Sequence, residues 1–115
     1  MSKIALFVYS GDPMCFVHVL LNCLDMADKG HAPEVVVEGA SVRLLPDLAR
    51  EDHHLHGLWE KVKARGLLAG VCGACSDRMD TLDEARAQGL TILEDMSGHP
   101  GVAGFRERGY EIVTF

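Results

Sequence analysis

The fold is indicated by the stretch Ile4-Ala5-Leu6-Phe7-Val8-Tyr9-Ser10-Gly11-Asp12-Pro13. Its first six residues form a continuous apolar run rich in β-forming side chains, which is typical of a strand buried on both faces. Asp12 can cap a helix, and Pro13 is suited to the first helical turn. Gly30 then provides a left-handed terminator. The stretch therefore predicts a buried strand followed by a helix that ends near Lys29.

Further apolar segments of strand length alternate with helical patterns along the chain. We predict the remaining strands at Glu34–Glu38, Leu67–Cys72, Leu90–Leu93 and Tyr110–Phe115. The segments between them predict a connection over Ala40–Ala49 broken by Pro46, a helix from Leu55 to Gly66, a helix from a capping box at Thr81 to Gln88, and a helix from Ser97 or His99 to Arg108. This alternation predicts one α/β domain over 1–115, with a five-stranded, mostly parallel sheet and helices on both faces.

Composition and sequence pattern limit the kinds of partner and the cellular location that we expect. The chain has 115 residues, a formal net charge of −6, and only 11 Lys and Arg, which are scattered along it. Nucleic-acid binding normally requires a basic face, so no nucleic-acid partner is expected. The opening residues lack a signal-peptide pattern, and no apolar segment approaches the length of a membrane span. We therefore expect a cytoplasmic protein with reduced cysteines and no membrane span.

The first predicted helix carries an unusually broad apolar surface. Its polar residues lie on one narrow stripe, formed by His18, Asn22, Asp25 and Lys29. A helix that is apolar nearly all round is usually buried, and in so small a domain a second subunit is a suitable cover. The pattern predicts a homo-oligomer. The alternative is burial within the chain, under the Val42–Leu48 segment.

The candidate reactive residues lie in the segment Gly70-Val71-Cys72-Gly73-Ala74-Cys75-Ser76-Asp77-Arg78. It places Cys72 and Cys75 at the end of a predicted strand, and in a parallel sheet the functional crevice lies beyond the carboxyl ends of the strands. In the cytoplasm a Cys-x-x-Cys pair is typical of a reactive or metal-binding site rather than a structural disulfide. Gly73 keeps the approach to sulfur open, and Arg78 adds a positive charge. We predict a functional role for at least one of the two cysteines.

Other residues at the same predicted edge are weaker candidates. Cys15 lies in the first turn of a helix, where the helix dipole favours a thiolate, and it is a candidate to line the same crevice. Gly39 marks the turn after the second strand. Cys23 lies mid-helix among apolar neighbours, so we expect a core residue. His99, beside Pro100, is expected to cap a helix rather than act as a base.

Cofactor and metal sites are not indicated by the spacing of residues. A structural zinc site needs four ligands, and only one Cys-x-x-Cys is present, although Cys15 and His18 could complete a set in space. The histidines at 53, 54 and 56 lie in a polar segment without ligand spacing. No dinucleotide-binding glycine pattern occurs. A thioredoxin-like pair should enter a long helix, whereas here the next capping box lies only at Thr81. We predict neither a metal nor a cofactor.

With these residues in place, the sequence resembles the DsrE/DsrF-like family of small sulfur-relay proteins, which includes the YchN-like proteins. The resemblance covers nearly the whole chain and is carried by Lys3–Tyr9 with its following helix, Val36–Gly39, Gly70–Cys75 and Gly109–Val113. It implies a three-layer α/β/α sandwich and assembly as a trimer or hexamer. It also implies that Cys72 carries sulfur as a persulfide.

The residues and the resemblance together favour a small cytoplasmic sulfur carrier. On this hypothesis Cys72 attacks a donor persulfide, Cys75 is an auxiliary thiol, and the partners are sulfur donor and acceptor proteins or small thiols. The alternative is a non-catalytic regulatory oligomer of the same fold that binds a ligand or a metal in the same crevice.

Overall fold

The computed structural model describes residues 1–115 and contains a five-stranded sheet in which every neighbouring pair of strands is parallel. The strands are β1 (Lys3–Val8), β2 (Ala32–Val37), β3 (Leu68–Cys72), β4 (Ile92–Leu93) and β5 (Tyr110–Thr114), in the spatial order β4-β3-β2-β1-β5. The helices are α1 (Pro13–Asp28), α2 (Leu45–Leu48), α3 (His56–Ala64), α4 (Gly73–Arg78), α5 (Leu82–Ala87) and α6 (Val102–Glu107). The predicted α/β class is confirmed, and the sheet is parallel throughout.

The first predicted unit forms as the sequence indicates. The side chain of Asp12 accepts a hydrogen bond of 2.9 Å from the Met14 amide, and Pro13 occupies the first turn of α1. Beyond the helix, Gly30 has a φ of +87°, a conformation that glycine adopts without steric cost. Local sequence thus determines both ends of α1.

The path of the chain explains why the two faces of the sheet are covered unequally. From β1 to β4 each strand is added on the same side of the preceding one, so crossovers of one hand place α1, α3 and α5 on one face. The last connection reverses direction and returns to the far side of β1, which places α6 on the opposite face. The result is a three-layer α/β/α arrangement with one thick and one thin outer layer.

The thick layer holds the main core of 18 buried residues. Leu6 and Val37 from the sheet meet Leu20 from α1 and Trp59 from α3 in this cluster. The thin layer buries only Ala5, Phe7, Val36 and Phe105, and half-buried apolar side chains surround it. The folding free energy therefore comes mainly from apolar burial on the α1 side.

The burial of α1 bears on the oligomer predicted from its sequence. Phe16, Val19, Leu20 and Cys23 are buried in the main core together with Val42, Leu44, Leu45 and Leu48. The Val42–Leu48 segment therefore does cover the inner face of α1, as the alternative to an oligomer proposed. Met14 and Leu21 remain 72% and 48% exposed on the outer face. Assembly with further copies stays a prediction.

Several local expectations differ from the structure. The connection after β2 is a 3-10 helix over Gly39–Leu44 followed by α2, and Pro46 lies in the first turn of α2 instead of breaking it. Thr81 precedes α5, but its hydroxyl contacts the carbonyl of Ser76 and makes no capping bond. The residue that caps α6 is Gly101, so neither Ser97 nor His99 caps that helix. The Thr81 and His99 side chains make contacts elsewhere that compete with local capping, whereas Pro46 is compatible with a first helical turn.

The helices range in length from 4 residues in α2 to 16 residues in α1. None of them is long and apolar enough to cross a membrane.

Candidate thiol–imidazole site

Three chain segments meet at the carboxyl edge of the sheet. Cys72 is the last residue of β3, Glu38 directly follows β2, and His99 lies in the loop between β4 and α6. Because parallel strands all end at the same edge, residues far apart in sequence are brought together there. This edge is the one that the sequence predicted to be functional.

Cys72 begins the short helix α4. Its backbone is extended, with a φ of −64° and a ψ of 121°. Its sulfur accepts a hydrogen bond of 3.3 Å from the backbone amide of Cys75. The sequence interpretation expected a polar turn after Cys75 and a helix only from Thr81. The structure corrects this, since the Cys-x-x-Cys pair itself opens a helix. One helical turn then brings the two sulfurs to the same side.

His99 is presented by a tight turn. Met96 and His99 exchange two backbone hydrogen bonds of 2.8 and 2.9 Å, and the two residues between them, Ser97 and Gly98, have φ values of +50° and +89°. Two central residues with positive φ are typical of a type I′ turn. The Gly98 carbonyl also accepts the Ala74 amide at 2.8 Å, which fixes the turn against α4.

The turn places the imidazole against both thiols. His99 Nδ1 lies 3.1 Å from the Cys72 sulfur and 3.7 Å from the Cys75 sulfur. The three ligand-type atoms all lie within 4.8 Å of one another. All four cysteines of the chain are free thiols. We call Cys72, Cys75 and His99 the thiol–imidazole cluster.

The two thiols of the cluster differ in exposure. Cys72 is completely buried, whereas Cys75 is half-buried. Burial is the largest cause that raises the pKa of Cys72 to about 12, and the neighbouring Cys75 and Glu38 raise it further, against the Cys75 amide, which lowers it. A free thiolate at Cys72 is therefore disfavoured, and Cys75 is the thiol that solvent and reagents reach.

A buried carboxyl group borders the cluster. Glu38 is 9% exposed, and its Oε1 lies 3.8 Å from His99 Nδ1. Burial raises the pKa of Glu38, while the Tyr9 hydroxyl and His99 act in the opposite direction. Its other oxygen, Oε2, is buried without a hydrogen-bond partner. Ser41 holds the local backbone, because its hydroxyl bridges the carbonyls of Val8 and Glu38 at 2.8 and 2.7 Å.

Gly39 contributes to the site through its backbone. Its amide donates to the Cys75 sulfur at 3.2 Å, and its φ of +60° aims that amide at the thiol. An added Cβ at this position would lie 3.3 Å from the Tyr9 carbonyl. Gly39 therefore belongs to the site, through a hydrogen bond that the sequence alone did not indicate.

The remaining candidate residues have other places in the structure. Gly73 is buried, and a Cβ there would lie 2.9 Å from Ile92 Cγ2, so this glycine allows close packing on β4 rather than access to sulfur. Arg78 is exposed at the last residue of α4, away from the helix start that holds the thiols, and it forms no ion pair. Cys15 is half-buried in α1, and no hydrogen bond joins its sulfur to the cluster.

The sequence placed the turn at Glu38 and the loop at His99 at the functional edge of the sheet, but neither residue was assigned a part in the site. His99 was interpreted as a helix cap, but it directly follows a Ser-Gly pair, and such a pair is a turn signal that can present the next side chain. Glu38 ends an apolar strand run, where a lone carboxylate at the functional edge of a sheet was a usable signal.

Surface depressions near the cluster are shallow. One of about 360 Å³ lies beside it, lined among others by Gly73, Ala74 and Gly98. None of the three depressions of the protein is lined by Cys72, Cys75 or His99. The thiol–imidazole cluster thus lies at an open edge rather than in an enclosed small-molecule cavity.

Comparisons with known proteins agree with the fold and assign no activity. The chain is 30% identical over 97 residues to the uncharacterized protein MJ0733 from Methanocaldococcus jannaschii, which covers 84% of this chain and 77% of that protein. The chain therefore belongs to the same family as MJ0733. No protein-family model matches the sequence.

A solved structure shows the same fold at low sequence identity. The conserved protein of unknown function BT1422 from Bacteroides thetaiotaomicron superposes with a TM-score of 0.71 at 15% identity, covering 99% of this chain and 95% of that one. The fold is therefore an established one.

Proposed function

We propose that this protein is a small sulfur carrier of the DsrE/DsrF-like kind, which holds sulfur as a persulfide on its cysteine pair. The observation that carries the proposal is the convergence of two free thiols and one imidazole within 4.8 Å at the carboxyl edge of the sheet. Imidazole can take up the proton of a neighbouring thiol, and the thiolate is the nucleophile in sulfur exchange. The open position of the cluster suits protein or small-thiol partners.

The geometry favours Cys75 as the thiol that receives sulfur. Cys75 is the accessible thiol of the pair, the Gly39 amide donates to its sulfur at 3.2 Å, and His99 Nδ1 lies 3.7 Å away. The Gly39 amide can donate to the attacking sulfur, and the imidazole can take up its proton. Cys72 is buried behind it and is suited to a resolving role. These roles are the reverse of those expected from the sequence, in which Cys72 receives the sulfur and Cys75 is the auxiliary thiol.

The proposed transfer needs no external oxidant. The Cys75 thiolate attacks the outer sulfur of a donor persulfide, the donor S–S bond breaks, and the donor leaves as a thiolate. The outer sulfur now forms a persulfide on Cys75. An acceptor thiolate then attacks that outer sulfur, and Cys75 leaves as a thiolate. If Cys72 attacks the inner sulfur instead, a Cys72–Cys75 disulfide forms and hydrosulfide is released.

The cellular setting belongs to the same proposal. A free vicinal thiol pair persists in a reducing compartment, so we propose that the carrier acts in the cytoplasm. The two exposed apolar side chains on α1, Met14 and Leu21, support association with further copies, and the family resemblance implies a trimer or hexamer.

Persulfide trapping tests the proposal. The reduced protein is incubated with a small persulfide donor in the presence of a metal chelator, alkylated, digested and analysed by mass spectrometry. We expect one added sulfur atom on Cys75 in the wild type, none at that position in Cys75→Ser, and an unchanged adduct in Cys15→Ser.

Two outcomes contradict the proposal at different levels. The absence of an adduct on both Cys72 and Cys75 overturns the sulfur-carrier function. An adduct that survives in Cys75→Ser and disappears in Cys72→Ser overturns the assignment of the receiving thiol and restores the order expected from the sequence.

A further inference from the structure

We propose that Cys72, Cys75 and His99, completed by Glu38, form a binding site for a single Zn²⁺ ion. Zinc in proteins is typically held in tetrahedral geometry by thiolate, imidazole and carboxylate ligands. This set offers two thiolates, one imidazole nitrogen and one carboxylate oxygen. The site does not rest on sulfur transfer, although it uses the same two thiols.

The distances fit a tetrahedral ion without rearrangement of the backbone. Zinc–sulfur bonds of about 2.3 Å and zinc–nitrogen bonds of about 2.0–2.1 Å require sulfur and nitrogen ligands to lie about 3.6 Å apart. His99 Nδ1 lies 3.1 Å from the Cys72 sulfur and 3.7 Å from the Cys75 sulfur. The two sulfurs lie within 4.8 Å of each other, so side-chain adjustments of about one ångström or less suffice for three ligands.

Glu38 borders these three ligands and is suited to supply the fourth. Its Oε1 lies 3.8 Å from His99 Nδ1, and oxygen and nitrogen ligands of one zinc ion lie about 3.4 Å apart. The carboxyl group is nearly buried, and its Oε2 has no hydrogen-bond partner. A buried carboxylate oxygen without a partner is costly, and a bound cation reduces that cost. The unpartnered Oε2 is thus an observation separate from the thiols.

The surroundings of the ligands match those of metal sites. Each sulfur accepts a hydrogen bond from a backbone amide. The Cys75 amide donates to the Cys72 sulfur at 3.3 Å, and the Gly39 amide donates to the Cys75 sulfur at 3.2 Å. The type I′ turn fixes His99, and the Ser41 hydroxyl holds the carbonyl of Glu38 at 2.7 Å. Such outer contacts orient ligands and support their charge. When zinc binds, the thiol protons leave to solvent, and the cation balances the charge of both thiolates.

Metal titration of the reduced, metal-free protein tests the proposal in the absence of any persulfide donor. Zn²⁺ is titrated in competition with a chromophoric chelator, and Co²⁺ is used as a spectroscopic probe. We expect one zinc ion per chain and, for cobalt, the visible bands of a tetrahedral site together with sulfur-to-cobalt charge transfer. His99→Ala and Cys75→Ser should weaken zinc binding by more than about 100-fold, which exceeds the usual effect of outer contacts.

Matched variants make the result specific. Glu38→Gln should weaken zinc binding by about 10-fold to 100-fold, and Cys15→Ser, which removes a half-buried thiol outside the cluster, should leave it unchanged. His99 is half-exposed, so its replacement is compatible with folding, and circular dichroism verifies this. Zinc binding that is weaker than micromolar, or that is unaffected by His99→Ala in the folded variant, overturns the proposal.

The experiment also separates this site from the proposed function. Failure of zinc binding with successful persulfide trapping overturns the metal site alone. Zinc binding without persulfide trapping in the presence of chelator overturns the carrier alone.

Discussion

Cys23 and Cys72 are equally buried, but the groups that surround their sulfur atoms differ. Both are free and completely buried, and burial is the largest cause that raises the pKa of each, to about 11 for Cys23 and about 12 for Cys72. Cys23 packs inside the main apolar core, and no hydrogen bond reaches its sulfur. The sulfur of Cys72 contacts an amide, a second thiol and an imidazole within one small volume.

The comparison shows that burial alone does not separate a core cysteine from a functional one. The two cysteines differ in the number of polar groups near their sulfur atoms, and that number depends on where each cysteine lies in the fold. Cys23 lies in the middle of a helix whose backbone groups bond to each other. Cys72 lies where a strand ends and a helix begins, so unpaired amides and loop side chains are available. The following predictions test this difference.

The largest expected effect is on thiol alkylation in the folded, metal-free protein. Cys75 is half-buried at an open edge and should react directly, whereas Cys23 can react only when the core opens. Unfolded fractions of roughly 10⁻³ to 10⁻⁶ imply that Cys23 reacts at least about 1000-fold more slowly than Cys75. Mass spectrometry of digested time points measures both rates in one sample. Comparable rates would show that the core around Cys23 is open.

Serine substitution should separate the two buried cysteines by stability. Cys23→Ser buries a hydroxyl among apolar groups and should lower the free energy of unfolding by about 2 kcal/mol. At Cys72 the serine hydroxyl can accept the Cys75 amide and reach His99, so we expect a loss below about 1 kcal/mol. Urea unfolding in the presence of chelator measures both, with Cys15→Ser as the control. Equal losses would mean that the partners of Cys72 contribute nothing.

Much of the fold could be predicted from sequence because its signals are local. The apolar run that starts at Ile4, the cap at Asp12 and the terminator at Gly30 are all read from neighbouring residues. The short helix α4 was missed because Cys72, an unusual cap, provides its first hydrogen bond. Pro46 was interpreted as a helix breaker, although proline is equally suited to a first helical turn.

Two of the four residues of the candidate site could be predicted from sequence, and two could not. Cys72 and Cys75 form a recognisable pair that follows a predicted strand. His99 and Glu38 are separated from them by about 25 to 35 residues, and no local pattern links side chains across such distances. Only the spatial order of β2, β3 and β4 brings the three segments to one edge. Strand order was not predicted, so these partners could not be assigned.

A smaller effect is expected in the alkaline pH dependence of stability. The pKa of Cys23 is about 11 in the folded protein against 9.0 for the reference thiol, so folding favours the protonated thiol. The stability associated with it is complete below about pH 9 and is lost as pH rises toward 11. Between about pH 8 and pH 10 the wild type should therefore lose about 1 kcal/mol more than Cys23→Ala.

Urea unfolding at the two pH values measures this difference. Cys23→Ala lowers stability at both, because it leaves a small cavity, but this cost is independent of pH. The difference between the slopes therefore isolates the thiol. Parallel loss of stability in the two proteins would show that Cys23 does not titrate in this range, either because its surroundings are wetter or because the protein unfolds first.

The smallest stability effect is expected from substitution of two glycines with positive φ. Gly39 and Gly30 have φ values of +60° and +87°. Alanine at either position is strained by roughly 1–2 kcal/mol, offset by about 0.4–1 kcal/mol from the less flexible unfolded chain. We therefore expect a loss of about 1 kcal/mol or less for each, measured by urea unfolding.

The reactivity of Cys75 should respond to only one of these substitutions. Around Gly30 no atom lies within 4 Å of an added Cβ, and the residue is remote from the site in the β1–β2 crossover. At Gly39 the added Cβ would lie 3.3 Å from the Tyr9 carbonyl, so we expect a displacement of a few tenths of an ångström that weakens the hydrogen bond from the Gly39 amide to the Cys75 sulfur. Alkylation of Cys75 should become slower in Gly39→Ala and stay unchanged in Gly30→Ala. An unchanged rate in both variants would mean that the Gly39 amide does not stabilise the Cys75 thiolate, and the contrast between a thiol with polar partners and one without would then depend on His99 alone.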